Sequence, residues 1–112
     1  MGQSVNFCGA TGKAWSFTEV DADDAWARVP GIAIFAAPDS YGWRVIKVVE
    51  LTGREHDVRP LWALAEAERY GAETVFVSME LTADVRQWMM ADLEDGLSPV
   101  IHSNSGNLAM AA

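Results

Sequence analysis

The chain has 112 residues, the length of one domain with a core of its own, and half of its residues are apolar. Sixteen acidic against eight basic side chains give a net charge of −8. This charge opposes binding to nucleic acid unless the few cations are gathered at one place.

Cysteine usage and the N-terminus indicate a cytoplasmic protein. The single cysteine, Cys8, cannot form an internal disulfide. The N-terminus has neither the basic segment nor the apolar run of a secretory signal, and no stretch has the apolar length of a membrane span. We expect no membrane association, no cofactor and no bound metal, while a homo-oligomer stays open.

The first twenty residues predict an irregular strand or loop followed by a regular strand. Residues 1–13 combine three glycines with Ser, Asn and Thr, a composition typical of an irregular strand or loop. Residues 14–20 alternate apolar and polar side chains, which predicts a strand with Trp15 and Phe17 on one face. We expect this strand at the edge of a sheet.

Residues 30–51 predict a central β-hairpin. Two runs rich in β-branched and aromatic residues flank a link of turn formers, Pro-Asp-Ser-Tyr-Gly. The first run is almost wholly apolar, so both of its faces should be covered. The second run is interrupted by Arg44, Lys47 and Glu50.

Pro60 and Gly71 bracket the first predicted helix. Proline suits the first helical position and glycine the position after the end, so we expect a helix over residues 60–70. Its predicted buried stripe, with Trp62 beside it, consists of Leu61, Leu64, Ala65 and Glu68.

The remaining chain predicts a strand, a second helix and a tail. Residues 73–79 form the third main strand of the prediction. The second helix begins near Thr82 and ends about Gly96. Its expected buried positions are Val85, Trp88, Met89 and Leu93. Residues 1–100 should form one domain, and residues 101–112 a flexible tail.

The sequence therefore predicts an α/β (α+β) domain. An antiparallel sheet of three to four strands, centred on the hairpin, is flanked by two helices.

Four short motifs along this order of elements resemble those of a known family. They are residues 7–13 (FCGATGK), 29–35 (VPGIAIF), 45–50 (VIKVVE) and 69–75 (RYGAETV). Their order and spacing are similar to those of the GIY-YIG nuclease superfamily. The second and third motifs stand where its two signature triplets are expected, and the fourth resembles its junction between helix and strand.

The resemblance implies a degenerate active site. In that family a tyrosine positions or activates water, an arginine neutralises the phosphate and a glutamate holds a divalent metal. The tyrosine positions fall here on Ala33 and Lys47, and the glutamate falls on or near Met90. Alanine has no titratable group, and a charged lysine cannot ligate a cation.

Two functions follow from this comparison. The preferred one is a non-catalytic interaction or regulatory protein that binds a protein partner through an apolar and acidic surface. The residues expected there are Trp62, Met90, Ala33 and Val49. The structural alternative is that these residues fill the core.

The rival function is a divergent metal-dependent nuclease acting on the phosphodiester bonds of DNA. It would use Asp92 or Glu94 as the metal ligand and Arg54 or Arg59 at the phosphate.

Two further sites remain open. Lys47, Arg54, His56 and Arg59 form a candidate anion pocket; the alternative is that they are solvated or paired with neighbouring carboxylates. The C-terminus resembles the small apolar ends read by bacterial unfolding proteases, and the alternative is an ordinary disordered end. This candidate degradation signal consists of Leu108, Ala109, Met110, Ala111 and Ala112.

Overall fold

The computed structural model describes residues 2–21 and 25–102. In these residues the chain forms an α+β fold with five strands and two α-helices. The strands are β1 (Ser4–Cys8), β2 (Ala14–Val20), β3 (Gly31–Asp39), β4 (Gly42–Leu51) and β5 (Thr74–Met79). The helices are α1 (Arg59–Arg69) and α2 (Ala83–Leu97), and a short 3-10 turn spans Trp26–Arg28.

The sheet has the order β1-β2-β5-β3-β4, with every neighbouring pair antiparallel. The prediction of three to four strands is wrong, because β1 forms where a loop was allowed. Its Phe7 is buried and meets the rings of Phe17 and Phe76 edge to face. Pairing with β1 places β2 inside the sheet rather than at its edge.

The predicted hairpin is confirmed as β3 and β4, and it carries a bulge. Phe35 pairs with Lys47 and Ala36 with Val45, so Ile46 is the extra residue. Lys47 consequently lies on the same face of the sheet as Ile46, towards α1. The bulge thereby supplies a cation to the α1 side.

The two helices cover opposite faces of the sheet. Side chains alternate along a strand, so Ile32 and Ile34 of β3 pack with Met89 and Leu93 of α2. The intervening Ala33 and Phe35 pack instead with Ala67 of α1. The apolar run of β3 is therefore buried on both faces, as its composition predicts.

Helix α1 has nearly the predicted bounds but not the predicted buried side. Pro60 and Ala67 are buried, and Ala63 and Leu64 are half-buried against the sheet. Of the expected stripe, Leu61, Ala65 and Glu68 are exposed. Small alanines let the helix lie close to the sheet, and this contact turns the larger apolar side chains outwards.

The segment after α2 crosses the outer edge of β4. Pro99 is fully buried, and the backbone N–H of Val100 and of Ile101 donates to the carbonyl of Val45 and of Ile46, respectively. Ile101 then packs against the core under α1. Ile101, the first residue of the predicted tail, is therefore bound to β4 and packed against the core. The candidate degradation signal, Leu108, Ala109, Met110, Ala111 and Ala112, lies outside the described residues.

No helix within the described ranges has both the length and the apolar character that crossing a membrane demands.

Candidate functional site

The three positions that the GIY-YIG resemblance singles out do not converge on one cleft. Ala33 is fully buried in the core under α1. The ammonium of Lys47, on the same face, pairs with Glu66 over 2.8 Å between Nζ and Oε1. Met90 packs against the core under α2, on the opposite face of the sheet.

Asp92, a fallback metal ligand, is engaged in a hydrogen-bond cluster. Its carboxylate accepts from the backbone N–H of Thr11 (2.9 Å), the Thr11 hydroxyl (3.1 Å) and the indole Nε1 of Trp15 (3.0 Å). The Trp15 bond first, and then the Thr11 backbone bond, hold the pKa of Asp92 below its ordinary value. These bonds attach the β1–β2 turn to α2 and stabilise the ionised carboxylate.

The other fallback residues do not join Asp92 in a cluster suited to a metal ion among the described residues. Glu94 is buried and lies 3.5 Å from His102 Nδ1. Arg54 and Arg59 precede and begin α1, on the other side of the sheet. No group of three His, Cys, Asp or Glu side chains suited to a metal ion occurs in the described part of the chain.

The four residues of the candidate anion pocket line two depressions, and Arg59 belongs to the lining of both. The smaller, of about 370 Å³, is lined by Arg54, Glu55, His56, Asp57 and Arg59. The larger, of about 490 Å³, is lined by Lys47, Arg59, Trp62, Ala63, Ala65, Glu66 and Arg69.

In the smaller depression the guanidinium of Arg59 is already paired with a carboxylate of the chain, that of Asp57. Asp57 accepts from Arg59 Nε at 2.8 Å and Arg59 Nη2 at 2.9 Å, and also from the Thr52 hydroxyl at 2.8 Å. The Arg59 side chain is the main cause that holds the pKa of Asp57 well below its usual range. Asp57 also accepts the backbone N–H of Arg59, so it satisfies a donor at the start of α1.

Helix α1 presents a second apolar side, which points away from the sheet. Val58, Leu61, Trp62 and Ala65 follow one another at helical spacing, and all four are exposed. Trp62 is the most exposed tryptophan of the chain, with 68% of its surface accessible to solvent. We name these four residues the α1 outer face.

Cations flank the α1 outer face. Half of the eight basic residues of the chain line the two depressions beside it: Lys47, Arg54, Arg59 and Arg69. Glu66 is the one carboxylate in the lining of the larger depression. The smaller depression also holds Glu55 and Asp57, so the clear excess of cations is confined to the larger depression, which Trp62 lines. That depression is apolar and basic, whereas the sequence favoured an apolar and acidic surface.

The structure does not assemble the predicted partner surface as a single patch. Ala33 is buried and Val49 half-buried under α1, as the core-filling alternative describes. Met90 belongs to α2 and is half-buried against the core on the opposite face of the sheet. Trp62 is the member that lies exposed on the α1 outer face. Its exposed neighbours Leu61 and Ala65 are predicted as buried from the sequence, because their helical spacing also suits a core stripe.

A scan against protein-family models and searches of the curated proteins and of the solved structures found no match to this chain. The likeness to the GIY-YIG superfamily therefore rests on the four short motifs alone. Function has to be argued from the site itself.

Proposed function

We propose that this protein is a non-catalytic interaction domain that binds a partner protein through the α1 outer face. The observation that carries this proposal is the exposed apolar stripe of Val58, Leu61, Trp62 and Ala65 opposite the buried side of α1. Exposed apolar patches that contain tryptophan are typical of protein–protein contacts.

Packing of the fold does not explain why these four exposed side chains are apolar. The sheet contact of α1 is made by its other side, including Ala63, Leu64 and Ala67. Trp26 illustrates the contrast, because only 3% of it is exposed and its ring meets Phe35 edge to face. Trp62 is 68% exposed and belongs to neither core cluster of the described residues, so its apolar surface is available to a partner.

The state of the family positions supports a role without catalysis. Ala33 offers no proton acceptor, and Lys47 is held by Glu66. The Asp92 carboxylate accepts three hydrogen bonds from the β1–β2 region. Each of these groups has a structural role that does not require a reaction.

Affinity capture from the cells that produce the protein tests the proposal. The bait is the full chain in three forms: wild type, Trp62→Glu and the control Tyr41→Glu, which places the same charge at a fully exposed site on the hairpin turn. We expect wild type and Tyr41→Glu to retain the same stoichiometric partner and Trp62→Glu to lose it, with equal unfolding midpoints for all three.

Two results would overturn the proposal. One is retention of every partner by Trp62→Glu. The other is magnesium-dependent nicking of plasmid DNA by the wild-type protein that is lost in Arg54→Ala or Arg59→Ala, because the rival nuclease places these cations at the phosphate.

A further inference from the structure

We infer that the segment that docks on the α1 outer face is an acidic amphipathic segment of a partner protein. Its apolar side chains pack on Trp62 and Leu61, and a carboxylate pairs with Arg69. This inference rests on the proposed function and adds the chemistry of the partner to it.

The distribution of charge is the first argument. The chain carries a net charge of −8, yet three cations and one carboxylate line the larger depression beside Trp62. The sign of the charge at this depression is thus opposite to that of the whole chain. Such complementarity guides an acidic segment to this surface and disfavours a basic one.

The ion pairs at the same place are the second argument. Lys47 and Arg59 each pair with a carboxylate of the chain at 2.8 Å, so both are already engaged within the protein. Arg69 lines the same depression and has no ion pair in the residues that the structure describes. It is therefore the cation available to an incoming carboxylate.

Other occupants fit this surface less well. In a symmetric contact with a second copy, the same surface would lie on both subunits and bring Lys47, Arg59 and Arg69 towards their equivalents. A long polyanion or an anionic membrane would extend beyond the depression and meet the acidic remainder of the surface. A short acidic segment avoids both repulsions.

Synthetic peptides of defined charge test the inference. Two labelled peptides of about fifteen residues share leucines at helical spacing and carry either glutamate or lysine at the remaining positions. They are titrated with the full-length protein and followed by fluorescence anisotropy. A single-stranded oligonucleotide and vesicles of phosphatidylcholine with phosphatidylserine serve as competing anions.

We expect the glutamate peptide to bind, with an affinity that falls as salt rises, and the lysine peptide not to bind. Arg69→Glu should weaken binding of the glutamate peptide about tenfold or more. The matched control is Arg44→Glu, which makes the same change of charge at an exposed residue of β4 outside the depression lining. It should leave the affinity within about twofold of wild type, because it leaves the recognition surface intact.

The inference is overturned by equal binding of the two peptides, by no binding of the glutamate peptide, by an unchanged affinity in Arg69→Glu, or by tighter binding of the oligonucleotide or the vesicles. Any of these results leaves the proposed function standing if Trp62→Glu still loses its cellular partner. Retention of that partner overturns the proposed function itself.

Discussion

The indole Nε1 of Trp15 donates a hydrogen bond to the carboxylate of Asp92 over 3.0 Å. The two residues lie on β2 and α2, 77 positions apart in the sequence. Together with the two bonds from Thr11, this contact fixes the β1–β2 turn against the second helix. One of the two carboxylates offered as a metal ligand for the rival nuclease thus has a structural role.

Asp92→Asn should change how stability depends on pH. Because the pKa of Asp92 is lowered in the folded protein, mainly by the Trp15 bond, its stabilising contribution is present above an unfolded pKa of about 3.9. That contribution is lost as the pH falls from there through the folded pKa. The asparagine variant lacks it at every pH.

Urea unfolding measured from neutral pH down to about pH 3 checks this expectation. The variant should be less stable at neutral pH and lose less stability in acid than wild type. Asp57, whose pKa is also lowered, keeps part of the acid dependence in both proteins. Identical pH profiles for the two proteins would contradict the role given to Asp92.

Gly96→Ala should destabilise the protein although Gly96 lies in α2. Alanine inside a helix is normally favoured over glycine by about 1 kcal/mol. Here a Cβ would lie 2.5 Å from the backbone N of Ala10 and 2.5 Å from the backbone C of Gly9, so either the turn or the helix must move. We expect a loss of about 1–3 kcal/mol in the free energy of unfolding.

Chemical denaturation measures this loss, with Ala91→Gly at an exposed position of the same helix as the control for propensity. A stabilised Gly96→Ala protein would mean that the turn and the helix do not pack as closely as described.

Truncating two tryptophans should have very different effects on stability. Trp62→Ala should change the free energy of unfolding by less than about 0.5 kcal/mol, because 68% of Trp62 is exposed. Trp26→Ala should lower it by about 3–5 kcal/mol, because Trp26 fills the core under α1. Equal losses in urea unfolding would indicate that Trp62 packs into the fold, and the proposed interaction surface would lose its basis.

Introducing tyrosine at Ala33, where the GIY-YIG resemblance would place one, should harm the fold rather than create a nuclease. Ala33 has no exposed surface and pairs with Val49 and Val77 on the neighbouring strands. We expect Ala33→Tyr to lower the free energy of unfolding by about 1–3 kcal/mol through overpacking. The control is Ala65→Tyr on the α1 outer face, which should have little effect. An equally stable Ala33→Tyr protein in thermal unfolding would show that the core has room there.

Local chemistry was enough to predict most of the elements. The alternation in residues 14–20, the turn formers between the two apolar runs, Pro60 and Gly71 are signals that act within a few residues. The matching elements β2, the β3–β4 hairpin and α1 are present in the structure. By contrast the residues of β1 are predicted from the sequence only as an irregular strand or a loop, because their glycine-rich surroundings do not show that β2 pairs with them.

The candidate site depended on long-range packing. Two sets of apolar residues at helical spacing compete for the inner side of α1, and periodicity alone cannot rank them. Ala63 and Ala67 pack closely against the sheet, and this contact determines which side of α1 is buried. Leu61 and Trp62 remain exposed to solvent as a result. The cations beside Trp62 come from different elements, since Lys47 belongs to β4 and is turned towards α1 by the bulge. Sequence neighbours set which elements form, whereas contacts between distant residues set which of their side chains remain exposed to a partner.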